Sequence, residues 1–198
     1  MNDIIRAYDR IAAWFDRTRT SALIERPWLE YLAQALPPGA AILDLGCGTG
    51  EPILRFLAER RFAMTGVDAS AAMIEIARTR FPQTRLLVGD MRSLAVNETF
   101  GAVIAWHSLF HLPHDDQRAM FARFARLLDP GGLLMFTSGS DHGEVWSDNG
   151  GELLYHASLG LEEYRRLLAA HRFEVLRHAA EDAACGGATV WIARYRAV

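Results

Sequence analysis

The stretch Leu43-Asp44-Leu45-Gly46-Cys47-Gly48-Thr49-Gly50 decides how this chain is read. It closes a short apolar run, Ala41–Leu45, with three alternating glycines, and a helical pattern of Ile53, Leu54, Leu57 and Ala58 follows at once. Lacking Cβ, the glycines let the backbone approach a ligand and adopt positive φ. A dinucleotide fingerprint has the spacing G-x-G-x-x-G and aims a helix N-terminus at a pyrophosphate. Here the spacing is G-x-G-x-G, with Asp44 before the turn and Glu51 directly after it. Two carboxylates repel a pyrophosphate and attract a ligand that carries an ammonium and a sulfonium.

Outward from this turn, short apolar runs bounded by Gly, Pro or Asp recur at Phe62–Val67, Arg85–Val88, Ala102–Trp106 and Leu133–Thr137, and they read as buried strands. Helically spaced apolar residues fill the gaps: Ala72, Met73, Ile76 and Ala77, then Met120, Phe121, Phe124, Leu127 and Leu128. Strand–helix alternation implies an α/β doubly wound, mainly parallel sheet with helices on both faces. A further helix, Leu161–Ala170, precedes strand-like Phe173–Arg177 and Ala188–Tyr195, whose short return places the last strand antiparallel. Ahead of the first strand, Asp3–Phe15 and Leu23–Leu36 read as helices. The expected organisation is one domain: a helical cap over residues 1–38, a ligand-binding core over 40–137, a lid over 138–160 and a C-terminal helix and strand pair over 161–198.

In an open parallel sheet, ligands bind beyond the carboxyl ends of the strands, so the loops there carry the chemistry. After the second strand, Asp68 is placed to accept from ribose hydroxyls. After the third, Gly89-Asp90-Met91 offers an acceptor for an adenine amine beside a polarizable side chain able to cover the ring. Strand-end Asp or Ser also caps helices, which accounts for any one of these residues but not for an acid in three successive loops. Leu43–Gly50, Val67-Asp68-Ala69-Ser70, Gly89-Asp90-Met91 and Leu128-Asp129-Pro130-Gly131-Gly132 resemble the successive motifs of class I S-adenosylmethionine-dependent methyltransferases, in their small-molecule branch. The resemblance implies a Rossmann-like seven-stranded sheet with the last strand antiparallel, S-adenosylmethionine as cofactor and S-adenosylhomocysteine as product. It also implies a cofactor site of Tyr8, Arg19, Asp44, Gly46, Cys47, Gly48, Asp68, Ala69, Met73, Asp90, Met91, Trp106 and His107. Asp44 and Gly46 then meet the methionine end, with Tyr8 and Arg19 covering it.

Methyl transfer is an in-line displacement in which positioning supplies most of the catalysis, about 7–11 kcal/mol in favourable cases, so a dedicated base is optional. In the loop Trp106-His107-Ser108-Leu109-Phe110-His111, His107 and His111 are the candidates for acid–base work on a hydroxyl acceptor; the bland alternative is a packed or pocket-lining imidazole. The Gly-, Ser- and Asp-rich segment Ser138–His156 reads as an acceptor-side lid, with Trp146, Tyr155 and His156 as candidate acceptor contacts. Asp141, His142, Glu144 and His156 match no metal-ligand spacing, and no metal is expected.

Composition narrows the function classes. The 21 basic residues are scattered among 24 acidic ones, which disfavours a nucleic-acid partner. No apolar run approaches the roughly 20 residues of a membrane helix, and the charged N-terminus lacks a signal peptide's apolar region. Cys47 and Cys185 make no metal spacing, and a reducing cytoplasm is the expected setting. The reading is therefore transfer of a methyl group to oxygen or nitrogen of a small molecule. The rivals are a protein methyltransferase and a cofactor-binding sensor without catalysis.

Overall fold

The computed structural model describes residues 2–19 and 22–197. Its chain order is α1 (Asn2–Thr18), α2 (Arg26–Gln34), β1 (Ala41–Leu45), α3 (Ile53–Glu59), β2 (Ala63–Asp68), α4 (Ala71–Arg80), β3 (Arg85–Val88), β4 (Phe100–Ala105), α5 (His114–Leu127), β5 (Leu128–Ser138), β6 (Gly143–Asn149), β7 (Glu152–Ser158), α6 (Leu161–Ala170), β8 (Phe173–Asp182) and β9 (Ala188–Tyr195). Seven strands form one sheet in the order β3-β2-β1-β4-β5-β9-β8. Strands β1 to β5 pair in parallel, and β9 runs antiparallel to both β5 and β8, as expected from the sequence.

The order reverses between β1 and β4, which opens a crevice beyond their carboxyl ends. Ile42, Leu43 and Leu45 of β1 and Ala102–Ala105 of β4 are essentially inaccessible, as central strands covered on both faces must be. On one face α2, α3 and α4 supply Trp28, Leu29, Leu32, Leu54, Leu57 and Ile74. The other face is covered by Phe121 and Phe124 of α5 and Tyr164 and Leu168 of α6.

Two segments depart from expectation. Helix α2 is no part of a cap: its Trp28, Leu29 and Leu32 are buried in the sheet's own core. Of the two N-terminal helices it is α1 that lies over the crevice, where it packs on α4 and β7. Its apolar stripe of Ile4, Ala7 and Ile11 meets Leu154, and polar clips hold both flanks. Asp9 accepts from Ser70 Oγ and the Ala72 amide, Asp16 pairs with Arg80, and Arg10 donates twice to Glu152. The second departure is residues 138–160, read from the sequence as a lid without strands of its own, which hold an antiparallel hairpin in register from Gly143↔Ser158 to Asn149↔Glu152. Gly150 and Gly151 take positive φ at its tip. Buried Gln117 fastens β7 to α5 by donating to the carbonyls of Leu112 and Ala157 while accepting from the Tyr164 hydroxyl.

Candidate active site

Beyond the carboxyl ends of β1, β2, β3 and β4 lies a cavity of about 280 Å³, roofed by α1 and the β6–β7 hairpin. Its wall includes each residue that the resemblance assigned to the cofactor: Tyr8, Arg19, Asp44, Gly46, Cys47, Gly48, Asp68, Ala69, Met73, Asp90, Met91, Trp106 and His107. His111 and His156 also stand in it, whereas Trp146 and Tyr155 do not. Strand alternation explains the difference, because Leu154 and His156 of β7 turn one way and Leu153 and Tyr155 the other. Trp146 pairs with Tyr155 across the hairpin, their rings 5.3 Å apart, and is 59% exposed.

The glycines of the turn have separate roles. A Cβ on Gly46, at φ +82, would stand 2.3 Å from Ser108 Cβ, and one on Gly50, at φ +84, 2.5 Å from the Phe81 ring. Both are demanded by the protein's own packing. Gly48, at φ +55, meets nothing closer than 3.7 Å and leaves its side open. Gly46→Ala is therefore expected to cost at least about 2 kcal/mol of stability through steric strain and an unfavourable φ. Gly48→Ala is expected to cost about 1 kcal/mol. Urea unfolding of the two variants measures this difference.

The acids form the electrostatic centre. Asp44, 3% exposed, has no hydrogen-bond partner among the described residues. Burial, with Asp68 nearby, pushes its carboxyl up to about 7, and Arg19 opposes that only in part. Asp68 accepts from the Gly48 and Ser70 amides, each at 2.9 Å, and so ties the first two loops together. Burial still raises its carboxyl, against those two hydrogen bonds. Ser70 caps α4 by accepting from the Met73 amide. Asp90 is held below the ordinary carboxylate range by Arg92, which also reaches Asp116. Glu51, read from the sequence as a second charge facing the ligand, pairs with Arg55 one turn along. Arg19 pairs at 2.9 Å with Glu25, a carboxylate 1% exposed whose other oxygen has no hydrogen-bond partner among the described residues. The unneutralised charge in the wall is therefore the pair Asp44 and Asp68.

The histidines divide as well. His111 Nδ1 lies 2.8 Å from the Tyr155 carbonyl, which can only accept, so Nδ1 carries the proton and Nε2 accepts from the Tyr8 hydroxyl at 2.8 Å. Both nitrogens are thus taken. His107 has a positive φ of 48, its amide donates to Thr137 Oγ1, and its ring makes no hydrogen bond among the described residues. Burial, with Arg19, His111 and His156 nearby, lowers the His107 imidazole to about 4, and burial likewise brings His111 to about 4. His142 stacks instead on His114, 4.3 Å away.

Sequence reasoning missed Ile4, Ile5 and Phe15 of α1, Phe110, and Asn149 and Leu154 of the hairpin, all of which line the cavity. The signal for the helix was present, since Ile4, Tyr8, Ile11 and Phe15 recur at spacings that share one helical face.

Comparison with known proteins agrees with this geometry. Residues 42–132 match a family model described as a methyltransferase domain. Malonyl-(acyl-carrier protein) O-methyltransferase of Serratia marcescens is 30% identical over 180 residues, 87% of this chain and 69% of that one. Demethylmenaquinone methyltransferase of Chlamydia pneumoniae is 31% identical over 138 residues, 67% of this chain and 59% of that one. The match spans 54% of two other curated relatives, the putative methyltransferase YqeM of Bacillus subtilis and an O-methyltransferase of Pyrenophora dematioidea. The CcbJ methyltransferase of Streptomyces caelestis superposes with a TM-score of 0.78 at 18% identity, covering 96% of this chain and 98% of that one. With the motifs of its first three loops gathered around one cavity, the chain belongs to the class I S-adenosylmethionine-dependent methyltransferases.

Proposed function

We propose that the chain transfers the methyl group of S-adenosylmethionine to oxygen or nitrogen of a small-molecule acceptor. The observation that carries this reading is the buried, unpartnered Asp44 carboxylate beside Asp68, in a wall whose other charges are already paired. A cationic ligand compensates that charge and an anionic one aggravates it. Asp44 and Arg19 would hold the ammonium and carboxylate of the methionine end, Asp68 the ribose, and Asp90 with Met91 the adenine. Gly46, Cys47, Gly48, Ala69 and Met73 would give the adenosyl group its floor, and Tyr8, Trp106 and His107 would surround the sulfur. The buried Trp106 Nε1–H, which has no hydrogen-bond partner among the described residues, fits a site completed by a ligand. When bound, S-adenosylmethionine supplies an electrophilic methyl group on a good leaving group; the chain's residues orient it and exclude water.

A small acceptor is supported by the size of the cavity and by relatives named for demethylmenaquinone and for dTDP-linked amino sugars. Calorimetric titration with S-adenosylmethionine, S-adenosylhomocysteine and NAD tests the reading. Micromolar binding of the two adenosyl ligands without NAD is the expected result, and binding of NAD, or of none, overturns it.

A further inference from the structure

The charged side chains in the cavity wall are not spread around it. Among the described residues, Arg19, Asp44, Glu51, Asp68 and Asp90 follow α1 or lie at the ends of β1, β2 and β3. The side formed by the loop after β4, the N-terminal half of α1 and the hairpin carries none. It presents Tyr8, Trp106, His107, Phe110, His111 and His156 together with aliphatic side chains. These rings pack on one another: Phe110 lies 4.8 Å from His111, 5.1 Å from His156 and 5.6 Å from His107.

An ammonium acceptor needs a carboxylate on this side, and a carboxylate or diphosphate acceptor needs a cation; the described residues of this side offer neither. Three neutral imidazoles and a phenyl ring suit a flat, uncharged molecule. A neutral hydroxyl is a weak nucleophile whose proton must leave, and an imidazole in this wall can take it. Tyr8 and Tyr155 consume both nitrogens of His111 and His156 Nδ1 lies 3.4 Å from Ser147 Oγ, whereas the ring of His107 makes no hydrogen bond among the described residues. His107 also carries positive φ on a β-carbon-bearing residue, fixed by Thr137, the kind of strain that persists where a side chain must be aimed.

The geometry points to an uncharged planar hydroxyl compound, a phenol or an enol, as the acceptor, with His107 as the catalytic residue that receives its proton. This rests on the methyl-transfer reading above. In the step, the acceptor oxygen bonds to the methyl carbon while the carbon–sulfur bond breaks and its electron pair returns to sulfur, discharging the sulfonium. The O–H proton passes to the free imidazole nitrogen of His107, so the positive charge moves from sulfur to imidazolium and the total is conserved. A weak base suffices, because the hydroxyl proton becomes strongly acidic as the oxygen is alkylated. A neutral His107 also leaves the sulfonium unrepelled beforehand.

Ligand-observed fluorine NMR on protein saturated with S-adenosylhomocysteine tests the acceptor class with para-fluorophenol, para-fluorobenzylamine and para-fluorobenzoate. The phenol is expected to bind at least tenfold more tightly than either charged probe. Equal or tighter binding of a charged probe, or no binding of the phenol, overturns the assignment. Failure of S-adenosylhomocysteine to saturate the same sample sinks the methyltransferase reading instead. At saturating S-adenosylhomocysteine, His107→Ala is expected to weaken phenol binding, and with S-adenosylmethionine to slow methylation of para-fluorophenol about a hundredfold. Unchanged phenol affinity in His107→Ala, or no turnover of the phenol by the wild type, removes His107 from that role.

Discussion

Asp44→Asn weakens S-adenosylmethionine binding at least tenfold and makes the free protein more stable above pH 7. Both effects follow from one buried carboxylate. Its folded value of about 7 lies well above its ordinary 3.8, so between those limits the native chain holds a proton that the unfolded chain has lost. Stability from this group is full below pH 4 and falls as pH rises to 7, by on the order of 4 kcal/mol if the whole shift is realised. Asp16, Asp90, Glu152 and Glu163, whose carboxyls are lowered, slope the other way, and subtracting the variant's profile from the wild type's isolates Asp44. Asparagine keeps the shape and removes the charge. It also removes a charge-assisted contact to the ligand's ammonium, worth about 1.5–3 kcal/mol. Wild-type affinity then declines as pH falls below 7 and binding near pH 6 releases a proton, while the variant's affinity is flat. Thermal unfolding at pH 5 and 8, with calorimetry in two buffers of different ionisation enthalpy, gives both readings. Undiminished affinity in the folded variant removes Asp44 from the methionine end.

The same charge logic marks what the sequence could and could not reveal. Strand β1 was legible to the residue because Pro37-Pro38-Gly39 and the glycine turn bound a run that is buried from Ile42 onward. Strand β8 runs five residues beyond its expected end at Arg177, since an edge strand with register shifts after Val175 and Ala179 needs no apolar alternation. The hairpin hid for a related reason. One of its faces is exposed, so Trp146 and Leu153 stand among Ser, Asp and Glu, and Asn149-Gly150-Gly151 was the turn signal to weigh. At the cavity, the acids after β1, β2 and β3 were readable because each loop directly follows a strand in an open parallel sheet. Neutralisation was not: Arg55 on Glu51, Arg92 on Asp90 and Glu25 on Arg19 are settled by rotamer and neighbour. Assigning the acceptor side equally required knowing which face of β7 turns inward.

Arg19→Met carries the other large expected effect, because it touches a pair in which one partner is more deeply buried than the other. Glu25 is 1% exposed and leans on the Arg19 guanidinium, and its second oxygen has no hydrogen-bond partner among the described residues. Removing the arginine leaves an uncompensated charge in the core beside Cys185, whose thiol already sits near 11 through burial and the charges of Glu25 and Asp182. The expected loss is about 3–5 kcal/mol, the usual consequence of breaking a buried pair on one side. The double variant Arg19→Met, Glu25→Met exchanges the pair for apolar groups of similar reach and is expected to recover most of that stability. Affinity for S-adenosylmethionine should not recover with it, since the ligand's carboxylate would still lack its cation. Denaturant unfolding and cofactor titration of the single and double variants therefore separate Arg19 as the neutraliser of Glu25 from Arg19 as a ligand contact. Full recovery of both stability and affinity in the double variant would leave Arg19 only the first of these roles.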